Sequence, residues 1–310
     1  MKKVFIDGSA GTTGLRIFER LSQRSDLELI TLTGDLRKDP QARKQALNSC
    51  DVAFLCLPDA AAMEAVSLIE NDHVTVLDTS TAHRTNPEWA YGFPELGEQY
   101  LNKILSSKRI AVPGCHASGF IALVAPLVEA GILPESALLT AHSITGYSGG
   151  GKQMIAQYEE EGRDELLGAP RQYGLTQQHK HLKEIKAMCK LENAPVFCPI
   201  VSDFYSGMVM TVPVFAGQLM PGKTVADIKA VYEKMYCGPM VTYKEAMDEA
   251  GFLSGAGLSH KDTMEVTVCG NEERILLLAR YDNLGKGASG AAVQCLNLVL
   301  GCDPTEGLEL

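Results

Sequence analysis

Residues 4–14, Val4-Phe5-Ile6-Asp7-Gly8-Ser9-Ala10-Gly11-Thr12-Thr13-Gly14, hold the strongest structural signal in the chain. A short apolar run from Lys3 to Ile6 ends at Asp7-Gly8, glycines recur at 11 and 14, and an amphipathic stretch follows from Leu15 to Leu21. That order predicts a strand, a glycine turn and a helix. Glycine lets backbone approach a pyrophosphate closely, and the first turn of a helix offers N–H groups that have no partner within the helix. Gly8, Ser9, Gly11, Thr12, Thr13 and Gly14 are therefore candidate cofactor contacts, with a bare tight turn as the competing reading.

The pattern continues outward. Leu27 to Leu32 reads as a second strand, Asp39 to Ala46 as a polar helix, and Val52 to Leu57 as a buried strand closed by Pro58-Asp59. Ala60 to Ile69 reads as a helix, and Val74 to Leu77 as a strand ending in Asp78-Thr79-Ser80. Alternating β and α elements predict a doubly wound parallel sheet of Rossmann type. Such folds place an acidic residue after the second strand to hold a ribose diol. Here Arg37 and Lys38 suit a 2′-phosphate and favour NADP, whereas Asp35 favours NAD.

Beyond Gly131 the texture changes. Leu138 to Ile144, Val196 to Val201, Met208 to Phe215, Met264 to Cys269 and Arg274 to Tyr281 read as strands, the last two around the hairpin signal Gly270-Asn271-Glu272-Glu273. Val225 to Tyr236 reads as a helix, so this part predicts an α+β domain with a mixed or antiparallel sheet. Ala291 to Leu300 reads as a further apolar helix.

Composition agrees with a two-domain globular chain. The 310 residues suffice for about two domains at roughly 150 residues each. With 45% apolar and 21% charged residues, disordered, collagen-like and coiled-coil classes are excluded. A net charge of −10 argues against nucleic acid as a partner. Anionic ligands must then be held by local amides and a few cations. The nine cysteines are odd in number and contain no CxxC pair, which excludes a disulfide framework and a zinc ribbon and fits a reducing cytoplasm. No HExxH appears, and no metal is expected. The chain start lacks a signal-peptide core, and no apolar run reaches the ~20 residues of a membrane span.

One cysteine stands apart. Cys115 lies between the short apolar run Ile110 to Val112 and an apolar helix that runs to Gly131. A free thiol titrates at about 8.5, and a helix N-terminus lowers that value. Cys115 is a candidate nucleophile, against the ordinary role of a small buried residue assigned to Cys50, Cys56, Cys269 and Cys295. A covalent cysteine needs a proton acceptor and donor, and Gln177-Gln178-His179-Lys180-His181 supplies histidines, unless these are only exposed polar residues. At i and i+2 on a helix the two rings would point to different sides. The segment Ser143 to Lys152 combines Ser148, Gly149 and Lys152 in a loop that either binds phosphate or is merely flexible.

Taken together, several segments resemble the N-acetyl-gamma-glutamyl-phosphate reductase family, in its shorter form. They are GSAGTTG (8–14), DTSTAHR (78–84), YGFPEL (91–96), VPGCHASGF (112–120), SITGYSGGGK (143–152), HKHLKEI (179–185) and DNLGKGASGAAVQCLN (282–297). The longer form has an aromatic after the cysteine and Thr two further on, where this chain has His116 and Ser118. Lys183 stands in place of a proline, and Lys152 in place of an arginine.

The resemblance implies a Rossmann domain of residues 1–114 and 286–310, completed by the C-terminal helix, and a catalytic and oligomerisation domain of residues 115–285. It implies NADPH-dependent reductive dephosphorylation of N-acetyl-L-glutamyl 5-phosphate, with phosphate as co-product, by a cytoplasmic homo-oligomer, dimer or tetramer. Cys115 would be the nucleophile, His181 the acid/base with His179 in reserve, and Glu184 its orienting partner. Pro58, Ser80, Asn283 and Gly287 join Arg37 and the glycine turn as expected cofactor contacts. Arg84, Ser148, Gly149 and Lys152 are the expected substrate contacts. Aspartate-semialdehyde dehydrogenase chemistry, an NADP-binding regulator without catalysis, and a cysteine hydrolase are the alternatives.

Overall fold

A computed structural model describes residues 1–310. The chain forms two compact units, the first of residues 1–94, 98–114 and 288–309, the second of residues 95–97, 115–287 and 310.

The first unit runs β1 (Lys2–Asp7), α1 (Thr12–Leu21), β2 (Leu27–Ile30), α2 (Pro40–Ser49), β3 (Val52–Leu55), α3 (Asp59–Ser67), β4 (Thr75–Asp78), β5 (Ala90–Tyr91), α4 (Glu98–Ser106) and β6 (Arg109–Ala111). The six strands pair in parallel in the order β2-β1-β3-β4-β6-β5. β3 and β4 are buried at every residue, as a parallel sheet covered on both faces requires. The chain builds outward from β1 on one side and from β3 on the other, so the switch point lies between them. α2 starts where Asp39 accepts the Gln41 N–H and Pro40 occupies the first turn.

The second unit runs α5 (Cys115–Glu129), β7 (Thr140–Gly146), α6 (Gly151–Glu159), β8 (Arg171–Gln172), α7 (His181–Met188), β9 (Val196–Ser202), β10 (Met208–Phe215), α8 (Val225–Met235), β11 (Val241–Tyr243), β12 (Met264–Gly270) and β13 (Arg274–Tyr281). Its sheet has the order β11-β12-β13-β10-β7-β9-β8. It is mixed, with β7–β9 and β11–β12 parallel and the other pairs antiparallel. The two- and three-residue strands β5, β8 and β11 went unread in the sequence because they are too short to show a period.

α5 is the spine of this unit, buried at every residue from His116 to Leu127. Pro126 interrupts it and has no N–H for the Ala122 carbonyl. The Tyr236 hydroxyl donates to that carbonyl at 2.6 Å, and the Tyr232 hydroxyl donates to the next one, on Leu123. The sheet covers one flank of α5 with its inner residues, among them Met210, Val212, Leu277 and Tyr281.

The final helix, α9 (Gly290–Leu300), belongs to the first unit and packs on α1 and α4. Ala291, Ala292, Val293, Cys295 and Leu296 share a core with Ile17 and Leu21. Gly301, at φ 73°, ends the helix, and the Cys302 N–H closes onto the Asn297 carbonyl at 2.9 Å. No helix is long and apolar enough to cross a membrane.

Candidate active site

In the first unit the glycine turn follows β1 at the switch point. Gly8 has φ +86°, and a Cβ there would lie 2.3 Å from the Cys56 carbonyl oxygen. A Cβ on Gly14 would lie 2.4 Å from the Gly8 oxygen. The turn is so closely wound against β3 that only glycine fits at either position. Gly11 leads into α1 without a side-chain cap. The Thr12 hydroxyl is buried and has no hydrogen-bond partner. Uncapped helical N–H groups and an orphaned hydroxyl in one turn fit a phosphate oxygen. Ser9 and Thr13 flank this cradle, both half-buried.

Pro58 and Ser80 follow β3 and β4, so together with Gly8 they lie at the C-terminal edge of adjacent strands. The Ser80 hydroxyl donates to Asp78 Oδ2 at 2.7 Å. Arg37 is exposed on a short 3₁₀ turn, its Nε donating to the Gly34 carbonyl at 3.2 Å. Arg84 is buried, with Nε donating to the Val112 carbonyl at 2.9 Å and Nη2 to the Thr79 carbonyl at 2.8 Å. It ties together the segments that follow β4 and β6.

In the second unit Cys115 is half-buried at the first residue of α5. Tyr281 secures that end. Its hydroxyl donates to the Cys115 carbonyl at 2.7 Å and accepts the Gly119 N–H at 3.1 Å. A Cβ on Gly119 would fall 2.5 Å from the same hydroxyl, which explains the glycine. Gly287 is equally constrained, since its Cβ would lie 3.1 Å from Cys115 Cβ. Gly287 therefore borders the thiol.

Three histidines gather beside this helix start. The ring of His116 lies 5.4 Å from that of His179 and 5.7 Å from that of His181, and the latter two are 4.8 Å apart. The expected divergence of His179 and His181 does not occur. α7 begins only at His181, so His179 sits in the preceding turn and its ring folds back. His179 Nδ1 accepts the His181 backbone N–H at 3.2 Å. His181 is buried in the first turn of α7, and Glu184 is buried one turn later on the same helix. Burial, then Lys180, depress the pKa of His179 to about 4. Burial first, then His179 and Lys180, push His116 down to about 3. Both rings are therefore neutral at pH 7.

His116, Tyr173 and Ser143 were absent from the expected site. His116 Nδ1 lies 2.7 Å from Ser143 Oγ, and Nε2 lies 2.7 Å from the Tyr173 hydroxyl. The sequence showed His116 only beside Cys115 and as a departure from the longer form of the family, Ser143 only as the start of the 143–152 segment, and Tyr173 not at all.

The segment after β7 is a 3₁₀ turn, Tyr147–Gly150, leading into α6. Ser148 is buried, and its hydroxyl accepts from Asn283 Nδ2 at 3.0 Å. Asn283 Oδ1 accepts the Gly207 N–H at 2.9 Å. Asn283 Nδ2 would also lie 3.4 Å from a Cβ on Gly149. Lys152 is exposed in the first turn of α6. Beyond Asn283, Asp282 is wholly buried and accepts from the Ser206 hydroxyl at 2.7 Å and the Leu284 N–H at 2.6 Å.

The other thiols differ from Cys115. Burial pushes Cys50 to about 11 and Cys56 to about 12. Cys269 was expected inside an apolar element, but alternation along β12 turns it to the exposed outer face. No group of three or more His, Cys, Asp or Glu side chains is arranged to hold a metal ion.

Two family profiles match the chain. Residues 3–104 match the semialdehyde dehydrogenase NAD-binding domain, and residues 115–283 match the semialdehyde dehydrogenase dimerisation domain. The chain is 46% identical over 305 residues to an N-acetyl-gamma-glutamyl-phosphate reductase of Chelativorans sp. and 44% identical to one of Sinorhizobium medicae. Each alignment covers 96% of this chain and 98% of the relative. Among solved structures, aspartate semialdehyde dehydrogenase II of Vibrio cholerae superposes with a TM-score of 0.71 at 16% identity, covering 97% of this chain and 99% of that one. The enzyme of Francisella tularensis superposes with a TM-score of 0.72 at 14% identity, covering 97% of this chain and 100% of that one.

Proposed function

The chain belongs to the N-acetyl-gamma-glutamyl-phosphate reductases of the semialdehyde dehydrogenase family, and from that membership we propose that its NADPH-dependent reductive dephosphorylation of N-acetyl-L-glutamyl 5-phosphate, a step of arginine biosynthesis, proceeds through Cys115. The observation that supports this most is the gathering of His116, His179 and His181 beside the helix start that carries the thiol.

The Cys115 sulfur attacks the acyl carbon, and the acyl–phosphate bond breaks with expulsion of inorganic phosphate. The positive end of α5 favours the thiolate. A thioester results, whose carbonyl is a better hydride acceptor than a carboxylate. NADPH supplies the hydride when bound. The hemithioacetal then collapses, its C–S bond breaks, the semialdehyde leaves and the thiolate returns.

His181 is the acid/base in this reading. It takes the thiol proton and delivers it to the departing phosphate. His116 and His179 are poorly matched to that task, because their depressed pKa values lie far from neutral pH. Glu184, one turn later on α7, orients His181. The Ser148 hydroxyl accepts from Asn283 and so keeps its own proton for a substrate oxygen, while Lys152 supplies a cation nearby on α6. Arg84 braces the backbone through two carbonyls and places its positive charge toward the acidic substrate.

The Gly8–Gly14 turn holds the pyrophosphate, with Thr12 as hydroxyl partner and with Ser9, Thr13, Pro58, Ser80, Asn283 and Gly287 as further contacts. Arg37 and Lys38 favour NADP over NAD through the 2′-phosphate. The outer face of the second sheet exposes Ile144, Val196, Phe215 and Leu276, which fits self-association into a homo-oligomer.

The deciding experiment is a paired assay. N-acetylglutamate 5-semialdehyde should drive phosphate-dependent NADP reduction, and aspartate 4-semialdehyde should not. An equal or greater rate with the aspartate compound would reject the substrate assignment. Cofactor binding without reduction of NADP by either aldehyde would support the regulator reading.

A further inference from the structure

We propose that Tyr173 is a further catalytic residue of this reaction, a hydrogen-bond donor to the reacting centre, and that His116 and Ser143 are positioning residues that leave its proton free. The inference rests on the Cys115 acyl-transfer reading above.

The argument begins with a proton count. Ser143 has no solvent exposure, and its hydroxyl has one hydrogen-bond partner, His116 Nδ1 at 2.7 Å. A buried hydroxyl proton without an acceptor costs about 1–3 kcal/mol. His116 is neutral, so one ring nitrogen carries a proton and the other accepts. If Nδ1 carried the proton, it would donate to Ser143 and leave the Ser143 proton unpaired. If Nδ1 accepts from Ser143, every group is satisfied. Nε2 then carries the proton and donates to the Tyr173 oxygen, 2.7 Å away.

The direction of the chain is thereby set. Ser143 donates to His116, His116 donates to Tyr173, and the Tyr173 hydroxyl proton is left for another acceptor. That hydroxyl lies one hydrogen bond from His116, the residue after Cys115, whose ring is 5.7 Å from that of His181. Burial and the Cys115 charge together raise the Tyr173 pKa, which keeps it a donor and not a base. Such a donor meets the oxyanion of the tetrahedral adduct formed when the sulfur attacks. His116 is itself held by edge-to-face contacts with His179 and Phe197, at 5.4 and 5.2 Å, which stop it from turning away.

Two measurements test this. In ¹⁵N NMR of the wild-type enzyme at pH 7, His116 should carry its proton on Nε2; a proton on Nδ1 overturns the proposal. In the phosphate-dependent NADP reduction assay, Tyr173→Phe should lower kcat about 100-fold, with KM within about twofold. His116→Phe should lower kcat similarly, and the double variant should lose no more than Tyr173→Phe alone. Multiplicative losses overturn the positioning chain, and Tyr173→Phe within about twofold of wild type overturns the role of Tyr173. Iodoacetamide alkylation of Cys115 at unchanged rate shows that each variant has kept its helix start. A wild-type enzyme inactive with the semialdehyde overturns the acyl-transfer reading and this one with it.

Discussion

The glycine turn and the histidine cluster are built in opposite ways. The turn is contiguous, Gly8 to Gly14, and its chemistry is backbone: close packing at Gly8 and Gly14 and open N–H groups at the start of α1. The cluster draws Cys115, Ser143, Tyr173, His179, His181 and Tyr281 from four elements and the turn before α7, and its chemistry lies in side chains. A contiguous site is limited by sterics. A dispersed one is limited by how well each element is anchored. The two should therefore fail independently, and the following experiments press on that difference.

Cys115→Ser has the largest expected effect. A serine hydroxyl is almost never ionised at neutral pH, so turnover should fall by at least about 10³-fold. NADPH affinity by fluorescence titration should stay within about twofold. Retained turnover would remove Cys115 from the mechanism.

Gly8→Ala is the mirror experiment. The new methyl would sit 2.3 Å from the Cys56 carbonyl in a backbone conformation that alanine avoids. NADPH affinity should weaken by at least about 10-fold, while iodoacetamide alkylation of Cys115 proceeds at the wild-type rate. Loss of both together would show that the regions are coupled and not independent.

Leu276→Asp places a charge on the outer sheet face among Ile144, Phe215 and Val196. Sedimentation should show a shift toward monomer. An unchanged species would move the interface elsewhere.

Acid provides the mildest test. His116 and His179 have folded pKa values of about 3 and about 4, below the ordinary histidine value. Their contribution to stability is complete above about pH 6.5 and is lost as pH falls toward those values, because the unfolded chain takes up the protons first. In the first unit, Asp7 works the other way. Burial raises its carboxyl pKa against the pull of Arg43 at 3.0 Å, so its contribution grows as pH falls. Amide protection factors, each taken relative to the intrinsic exchange rate at that pH, should fall between pH 6.5 and 4 in α5 and α7 before β1. The reverse order would show that the histidines are not the acid-labile part.

Much of this was legible in the residues. Apolar runs marked the longer strands of both sheets, and Met208–Phe215 and Arg274–Tyr281 were read with their true limits because each is eight residues long and bounded by glycine or turn residues. Cys115 was visible because a thiol at a helix start is rare chemistry placed beside glycine. The i, i+2 spacing of His179 and His181 misled, since it assumed a helix that begins two residues later. His116 marked the shorter form of the family in the sequence, and its hydrogen bonds to Ser143 and Tyr173 exist only in the fold. Ser143 was visible only as the first residue of the 143–152 segment, and Tyr173 carries no local signal at all.

The sequence by itself determined the parallel first sheet, its glycine turn and the family, and it singled out the proposed nucleophile, because period, glycine spacing and a cysteine at a helix start are local properties. Only the tertiary structure decided what surrounds that cysteine. Tyr281 becomes its neighbour, and Ser143 and Tyr173 become those of the adjacent His116, through strand pairing and helix packing across up to 166 residues of chain. Burial, which exists only after that packing, is what sets the protonation of His116 and His179.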